Sequence, residues 1–420
     1  MRYLCLAFAC LLAAFPLKAQ DTADIERRTA DAVAVMAGDL PMEQAFTRSF
    51  ISAVPEEQFR ALAAQFSGRY GALLGVENVE PSGQTGAAYI ALRYEKAIAR
   101  GRIQLATSLP YRISGLLIQT FEPVNEGGLS VTEQIAALPG RTAIHLGRLD
   151  GGETIFSYNS GLSLAIGSTF KLYVLSALSR SIAAGDRDWT DVVELDQPSL
   201  SSGILHDWPE GTPVTLHTLA TLMISISDNT ATDQLIAELG RAAVEAELVA
   251  SGHADPASTL PLLTTRELFV LKGGDDTALT NYARAELSER RAILSSLHDT
   301  KPDEAAVQTA FASGPRFLNV EWFASRQDIA KVFARLTDDP VALDILAVNR
   351  VLGEEVAHAY DYVGYKGGSE PGVLDFSWLL RDREGVWWMF SMGWNNSGAV
   401  VDEALFLGLA NAAMREAAGQ

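Results

Sequence analysis

Ser168 and Lys171 stand three residues apart at the start of an apolar run, AIGSTFKLYVL. On a helix, residues i and i+3 share a face, so the serine hydroxyl and the lysine amine come within reach of each other. A hydroxyl is a poor nucleophile near neutral pH until a positioned base takes its proton. A lysine is that base only when burial or a second cation lowers its pKa. The chemistry such a pair supports is nucleophilic acyl transfer through an ester on Ser168, with backbone N–H groups at the helix start near the developing negative charge. A solvated lysine on a helix face is the competing reading, and the pair alone does not separate the two.

Two further stretches narrow the choice. MISISDNTATDQLI holds Ser227-Asp228-Asn229, and YVGYKGGSEPGV holds Lys366-Gly367-Gly368 followed by Ser369. Taken singly, the first reads equally as a turn or helix cap and the second as a charge on an edge strand. Taken in order, SxxK, SDN and a KTG-like triplet are the motif set of serine β-lactamases and penicillin-binding proteins. From residue 124 to the C-terminus the chain resembles that superfamily, in its class A-like form. The resemblance implies that Ser168 is acylated, that Lys171 accepts its proton, and that Ser227 relays a proton to the leaving group. It implies that Lys366 anchors a substrate carboxylate and that Asn229 bonds a substrate amide. Gly367, Gly368 and Ser369 would line the substrate strand, with the backbone N–H groups of Ser168 and Ser369 as the oxyanion hole. Asp228 reads as a stabiliser of its own loop.

The departures from the pattern bear on activity. Gly367 replaces the hydroxyl residue usual at the middle of the triplet, which removes one hydrogen bond to a carboxylate; the Ser369 hydroxyl is a partial substitute. The ExxLN loop, whose glutamate activates the deacylating water in class A enzymes, is absent from LVASGHADPASTLPLLTTRELFVLKGG. Glu267, in TTRELFVLK, is the nearest glutamate and reads as a structural helix residue. An acyl-enzyme lacking a water-activating carboxylate turns over slowly, so efficient β-lactam destruction is not expected. His206 and Trp208, in SSGILHDWPEG, are open both as pocket lining and as loop packing.

The elements that must position these groups follow from periodicity. TAIHLGRL and ETIFSYN flank the turn Asp150-Gly151-Gly152, and SWLLRD and VWWMFSMGW flank Arg383-Glu384-Gly385. Helices dominate from Ser168 to about Leu336, and DEALFLGLANAAMREA closes the chain as an amphipathic helix. Strands at both ends with helices between imply one sheet assembled from distant sequence. The fold class is therefore α/β, a β-lactamase-like domain with an antiparallel sheet flanked by helices and a separate helical region, preceded by a small α+β domain. The latter, residues 21–123, reads as helices up to about residue 72. Phe46, Phe50 and Ile51 mark one apolar face, and four strands follow, ALLGVENVE, AAYIALRYE, GRIQLATSL and YRISGLLIQTF. Its order is similar to the cystatin- or isomerase-like domain joined to a lactamase domain in some serine hydrolase-like proteins, one of which occurs in clavulanic acid biosynthesis clusters. A helical insertion near 273–318 is longer than a compact lactamase needs and could roof the cleft.

Composition bounds the rest. With 420 residues, 48% hydrophobic and 20% charged, the chain is globular and long enough for two or three domains with ample core. A net charge of −19 repels phosphate backbones and anionic lipids, which disfavours nucleic acid and membrane-surface partners. MRYLCLAFACLLAAFPLKAQ reads as a secretory signal over residues 1–20, too short in its apolar run to span a bilayer, so a periplasmic or secreted protein is expected. Both cysteines, Cys5 and Cys10, fall inside it, leaving no thiol nucleophile or cysteine metal site, and the scattered histidines give no metal or cofactor motif. The expected function is a serine hydrolase acting on a carboxylate-bearing ester, amide or β-lactam. A D-alanyl-D-alanine carboxypeptidase, a class A-like β-lactamase and a penicillin- or peptidoglycan-peptide-binding protein without turnover are the alternatives.

Overall fold

The computed structural model describes residues 22–418 apart from 126 and 299; the secretory-signal reading of residues 1–20 lies outside the described residues. Two compact units are present. One holds the described residues before Gly127 with Ala404–Gly408, the other Gly127–Glu403 with the residues from Leu409 on.

In the first unit, helix α1 (Thr22–Ala37) buries Ile25, Thr29, Ala32 and Val35, the single face that their three- and four-residue spacing requires. Helix α2 (Glu56–Tyr70) starts after Pro55, where the missing proline N–H costs no helical bond. Phe46 departs from the helical reading. It breaks the chain between the short helices Met42–Ala45 and Arg48–Ala53, bridges to Ile113, and lets Thr47 cap the second helix by accepting from the Phe50 N–H. Its ring stacks on Phe50 at 4.6 Å, so the apolar spacing reflects a core cluster that joins two helices. Strands β1 (Leu73–Pro81), β2 (Ala87–Tyr94), β3 (Ala97–Leu105) and β4 (Ile113–Pro123) form an antiparallel meander in that order. Ala97, Ala99, Gly101, Ile103 and Leu105 alternate inward along β3, the period-two pattern of a sheet with one face in the core.

The second unit is built on a five-stranded antiparallel sheet. Strands β5 (Arg141–Arg148) and β6 (Thr154–Tyr158) come early in the chain, and β7 (Tyr362–Glu370), β8 (Val373–Arg381) and β9 (Trp387–Asn395) come late; the spatial order is β7-β8-β9-β5-β6. The first and last strands of this domain pair directly, Met392 opposite Ile144, as the distribution of strands along the sequence implies. β8 is buried on both faces, which explains its nearly unbroken apolar run VLDFSWLL. β7 is an edge strand, so one side of its backbone is left for the Ser168 segment.

Helices fill the sequence between. The ones that matter here are α3 (Lys171–Ala183), α4 (Leu216–Ser225), α5 (Asn229–Leu239), α6 (Thr265–Gly273) and α10 (Arg326–Ala334), with α7 (Asp276–Arg284), α8 (Leu287–Ser296) and α9 (Glu304–Ala312) in the 273–318 region. These three short helices bury only Leu279, Tyr282, Leu294 and Val307, and the last of them brings Phe311 to the wall of the cleft. No helix among the described residues is long and apolar enough to cross a membrane.

Candidate active site

Ser168 does not begin an α-helix. It sits in a 3-10 turn, Gly167–Phe170, and α3 follows from Lys171. Four contacts from distant sequence pin this turn. Asn395 brackets Ala165, accepting from its N–H at 2.8 Å and donating to its carbonyl at 2.9 Å. The Ile166 N–H donates to the Trp322 carbonyl at 3.0 Å. The Phe170 ring stacks on Trp322 at 3.9 Å. Thr169 donates to buried Asp375 at 3.0 Å. Such over-determination is what holds a nucleophile in one place before substrate arrives.

Two glycines permit the approach of β7. Gly167 takes the left-handed region with φ +47°, and a Cβ there would lie 3.1 Å from the Ser369 nitrogen. A Cβ at Gly368 would overlap the Ile166 carbonyl and lie 2.5 Å from the Ser168 nitrogen. The backbones therefore touch, and the Ser168 and Ser369 nitrogens come to the same contact.

Ser227 is held at φ +59°, a strained conformation for a side chain with a Cβ. The strain is supported from both sides. Asp228, fully buried, caps α5 by accepting from the Ala231 N–H at 2.8 Å and takes the Ile204 and Leu205 N–H groups on its other oxygen. Ser202 donates to the Ser227 carbonyl at 2.7 Å. Asp228 thus organises the loop and leaves Ser227 to face the lysines.

Both lysines converge on Ser227. Lys171 Nζ donates to the Ser227 carbonyl at 2.7 Å, to Asn229 Oδ1 at 2.8 Å and to Ser227 Oγ at 3.2 Å. Lys366 Nζ donates to the same Oγ at 3.2 Å and to the Gly367 carbonyl. Lys171 is fully buried and Lys366 is 2% exposed. Burial, then the charge of Lys366, holds the Lys171 pKa well below its ordinary value, against the opposing pull of Asp233 and Asp228. Burial lowers Lys366 to about 7, partly offset by Asp375. Neutral Lys171 keeps two N–H groups for the Ser227 carbonyl and Asn229 and gives up its donation to Ser227 Oγ, which leaves the lone pair for a hydroxyl proton.

Two expectations are modified. The spacing predicts a Ser168–Lys171 hydrogen bond, yet among the described residues the Ser168 hydroxyl makes none, and the Lys171 amine is turned toward Ser227 and Asn229. Asn229 is buried, its carbonyl oxygen is taken by Lys171 and one amide hydrogen by the Leu200 carbonyl at 3.1 Å. Only its second amide hydrogen is left for a substrate amide.

Ser168, Ser227, Asn229, Lys366, Gly367, Gly368 and Ser369 all line one open cleft of about 460 Å³, with Lys171 behind Ser227. His206 and Trp208 are not among its lining residues. Glu267 is elsewhere as well. Its carboxylate closes the capping box of α6 with Thr264 and pairs with Arg241 at 2.6 Å, which leaves it no part in activating water in this cleft.

Sequence reasoning missed two buried ionic groups at the site, one behind the nucleophile turn and one whose carboxylates, Glu321 and Glu370, line the cleft. Arg326 pairs with Asp375, both fully buried, and also donates to Ser391 at 2.9 Å; this network ends on Thr169, next to the nucleophile. Lys272, at the end of α6, pairs with Glu321 at 2.6 Å and with Glu370 at 2.5 Å. Burial and the neighbouring Glu321 push the Glu370 carboxyl well above the usual carboxylate range. A charged residue inside an apolar run, Asp375 in VLDFSWLL or Lys272 in LFVLKGG, is the signal that could have found them, since a buried charge demands a partner. Among the described residues no group of three or more His, Cys, Asp or Glu side chains is placed to hold a metal ion.

No curated protein matches the chain. Among solved structures, the chain is similar to a β-lactamase from Sphaerobacter thermophilus DSM 20745 at 22% identity and TM-score 0.47, over 68% of this chain and 93% of that one. It is similar to a β-lactamase from Chitinophaga pinensis DSM 2588 at 16% identity and TM-score 0.47, over 69% and 98%. A structure titled PBP-A aligns at 15% identity and TM-score 0.46, over 69% and 94%. Residues 130–286, which carry Ser168, Lys171, Ser227 and Asn229, match the model of the β-lactamase enzyme family, and the α/β fold of this unit is β-lactamase-like.

Proposed function

We propose that this chain is an exported serine hydrolase that works through an acyl-enzyme on Ser168, with esterase, amidase or slow β-lactam-hydrolysing activity. The observation that carries the reading is the convergence of two buried lysine amines on one hydroxyl, Ser227 Oγ, in the cleft that Ser168 lines. In the proposed sequence a Ser168 rotamer change brings its hydroxyl to the Lys171 lone pair, and Oγ attacks the acyl carbonyl as the proton leaves for Nζ. The Ser168 and Ser369 N–H groups take the oxyanion. The proton then returns through Ser227 to the leaving nitrogen or oxygen as the carbonyl re-forms, and water later releases the acyl group. Lys366 holds a carboxylate on the substrate. Its ordinary target would be a small ester, amide or β-lactam, with a peptidoglycan-derived peptide as the larger candidate, in the periplasm or outside the cell.

A second reading, a binder that is acylated and does not turn over, is favoured by one observation: Glu267 is committed to a helix cap and to Arg241. Mass spectrometry after exposure to benzylpenicillin separates the two. Mass added at Ser168 and then lost with released penicilloate supports the hydrolase, and mass that persists supports the binder. Ser168→Ala must gain no mass while keeping its thermal midpoint; adduct formation in that variant refutes both.

A further inference from the structure

Gly367 stands where a hydroxyl residue is expected, and the structure fills that place from two residues away. Tyr365 and Gly367 share one face of β7, as i and i+2 do on any strand. The phenol folds back along the strand: a Cβ built on Gly367 would overlap the Tyr365 hydroxyl and lie 2.7 Å from its Cζ. The ring is fixed by Trp378 on the neighbouring strand, with centroids 5.1 Å apart. Tyr365 and Gly367 both line the cleft beside Lys366, whose amine bonds the Gly367 carbonyl. Among the described residues the Tyr365 hydroxyl has no hydrogen-bond partner.

We propose that Tyr365 is a substrate-binding residue, its phenol donating to the substrate carboxylate in place of the missing side-chain hydroxyl, and that Gly367 is glycine because the phenol occupies its side-chain space. This assignment, which rests on the serine hydrolase reading, replaces the expectation that Ser369 makes up the lost bond. Charge explains why a neutral donor matters here. Lys366 is the sole cation lining the cleft among the described residues, while Glu321, Glu370 and Glu403 line the same cleft, the first two paired with buried Lys272 and the third opposing an anion. With its pKa near 7, Lys366 loses its charge as the pH rises, whereas burial pushes the phenol upward and keeps it a donor throughout.

The test compares Ser168 acylation by benzylpenicillin with acylation by its methyl ester, from pH 6 to 9, in the wild type and in Tyr365→Phe. The wild type should prefer the free acid, and still do so above pH 8 where Lys366 is neutral. Tyr365→Phe, which keeps the ring on Trp378, should lose about ten- to a hundredfold on the acid, the range for a hydrogen bond to a charged group, and little on the ester. Tyr365→Ala combined with Gly367→Thr returns a hydroxyl to the strand and should restore the preference. An unchanged acid-to-ester ratio in Tyr365→Phe overturns the inference, as does a folded double variant that restores nothing. Failure of the wild type to be acylated at Ser168 by either compound, or by an activated ester, instead removes the hydrolase reading and this inference with it.

Discussion

Replacing Lys366 with glutamine tests the electrostatics of the pair directly. Lys366 and Lys171 each place their nitrogen 3.2 Å from Ser227 Oγ, so the two nitrogens are at most about 6.4 Å apart. At an effective dielectric constant of about 20, two unit charges at about 6 Å repel by about 3 kcal/mol, equivalent to about two pH units. Burial is the larger cause of the depressed Lys171 pKa and survives the substitution; the Lys366 charge is the second cause and does not. Acylation requires neutral Lys171, so its rate climbs as pH rises through the apparent pKa of that amine. Lys366→Gln should raise that pKa and move the ascending limb toward alkaline pH by up to about two units. The full shift needs Lys366 to be charged in the wild type, and its pKa of about 7 sets the upper end of that range. The assay is stopped-flow acylation by an uncharged p-nitrophenyl ester between pH 5 and 10, which keeps carboxylate binding out of the measurement. An ascending limb that stays in place, or moves toward acid, refutes the assignment of Lys171 as the base repelled by Lys366.

Two other perturbations probe the surroundings. Lys272→Ala leaves Glu321 and Glu370 buried without their cation; loss of one partner from such a group costs about 3–5 kcal/mol, which chemical denaturation should record as a lowered midpoint at neutral pH. The loss should shrink in acid, where the Glu370 carboxyl, already raised by burial and by Glu321, is neutral. Gly368→Ala forces a methyl group onto the Ile166 carbonyl and the Ser168 nitrogen; acylation measured by mass spectrometry should fall at least about a hundredfold, the scale of losing an oxyanion donor, with the far-ultraviolet circular dichroism unchanged.

Much of the framework is legible locally. Alternation in ARGRIQL and the Asp150-Gly151-Gly152 turn mark strands and a hairpin because a strand exposes every second residue and a tight turn needs positive φ. Cap residues mark helix starts for an equally local reason: Thr264, Asp228 and Ser325 each accept a free N–H at the first turn of their helix. Phe46 departs from the helical expectation because apolar spacing reports burial and is silent on whether the backbone stays helical between two buried rings. The Ser168 turn is indistinguishable from a helix start in the sequence for the same kind of reason, since 3-10 and α geometry differ by one residue in hydrogen-bond span.

Order along the chain establishes which groups are present: a serine and lysine three apart, a Ser-Asp-Asn turn, a Lys-Gly-Gly strand and no ExxLN glutamate. These are properties of neighbours along the chain. Packing is what brings Lys171 and Lys366 together on the Ser227 hydroxyl across 56 and 139 residues of sequence. The same holds for Asp375 and Arg326 steadying the nucleophile turn, and for the Tyr365 phenol over Gly367. The physical reason is that the proton affinity of an amine follows from desolvation and from charges within a few ångströms, and both come into being when distant segments pack together.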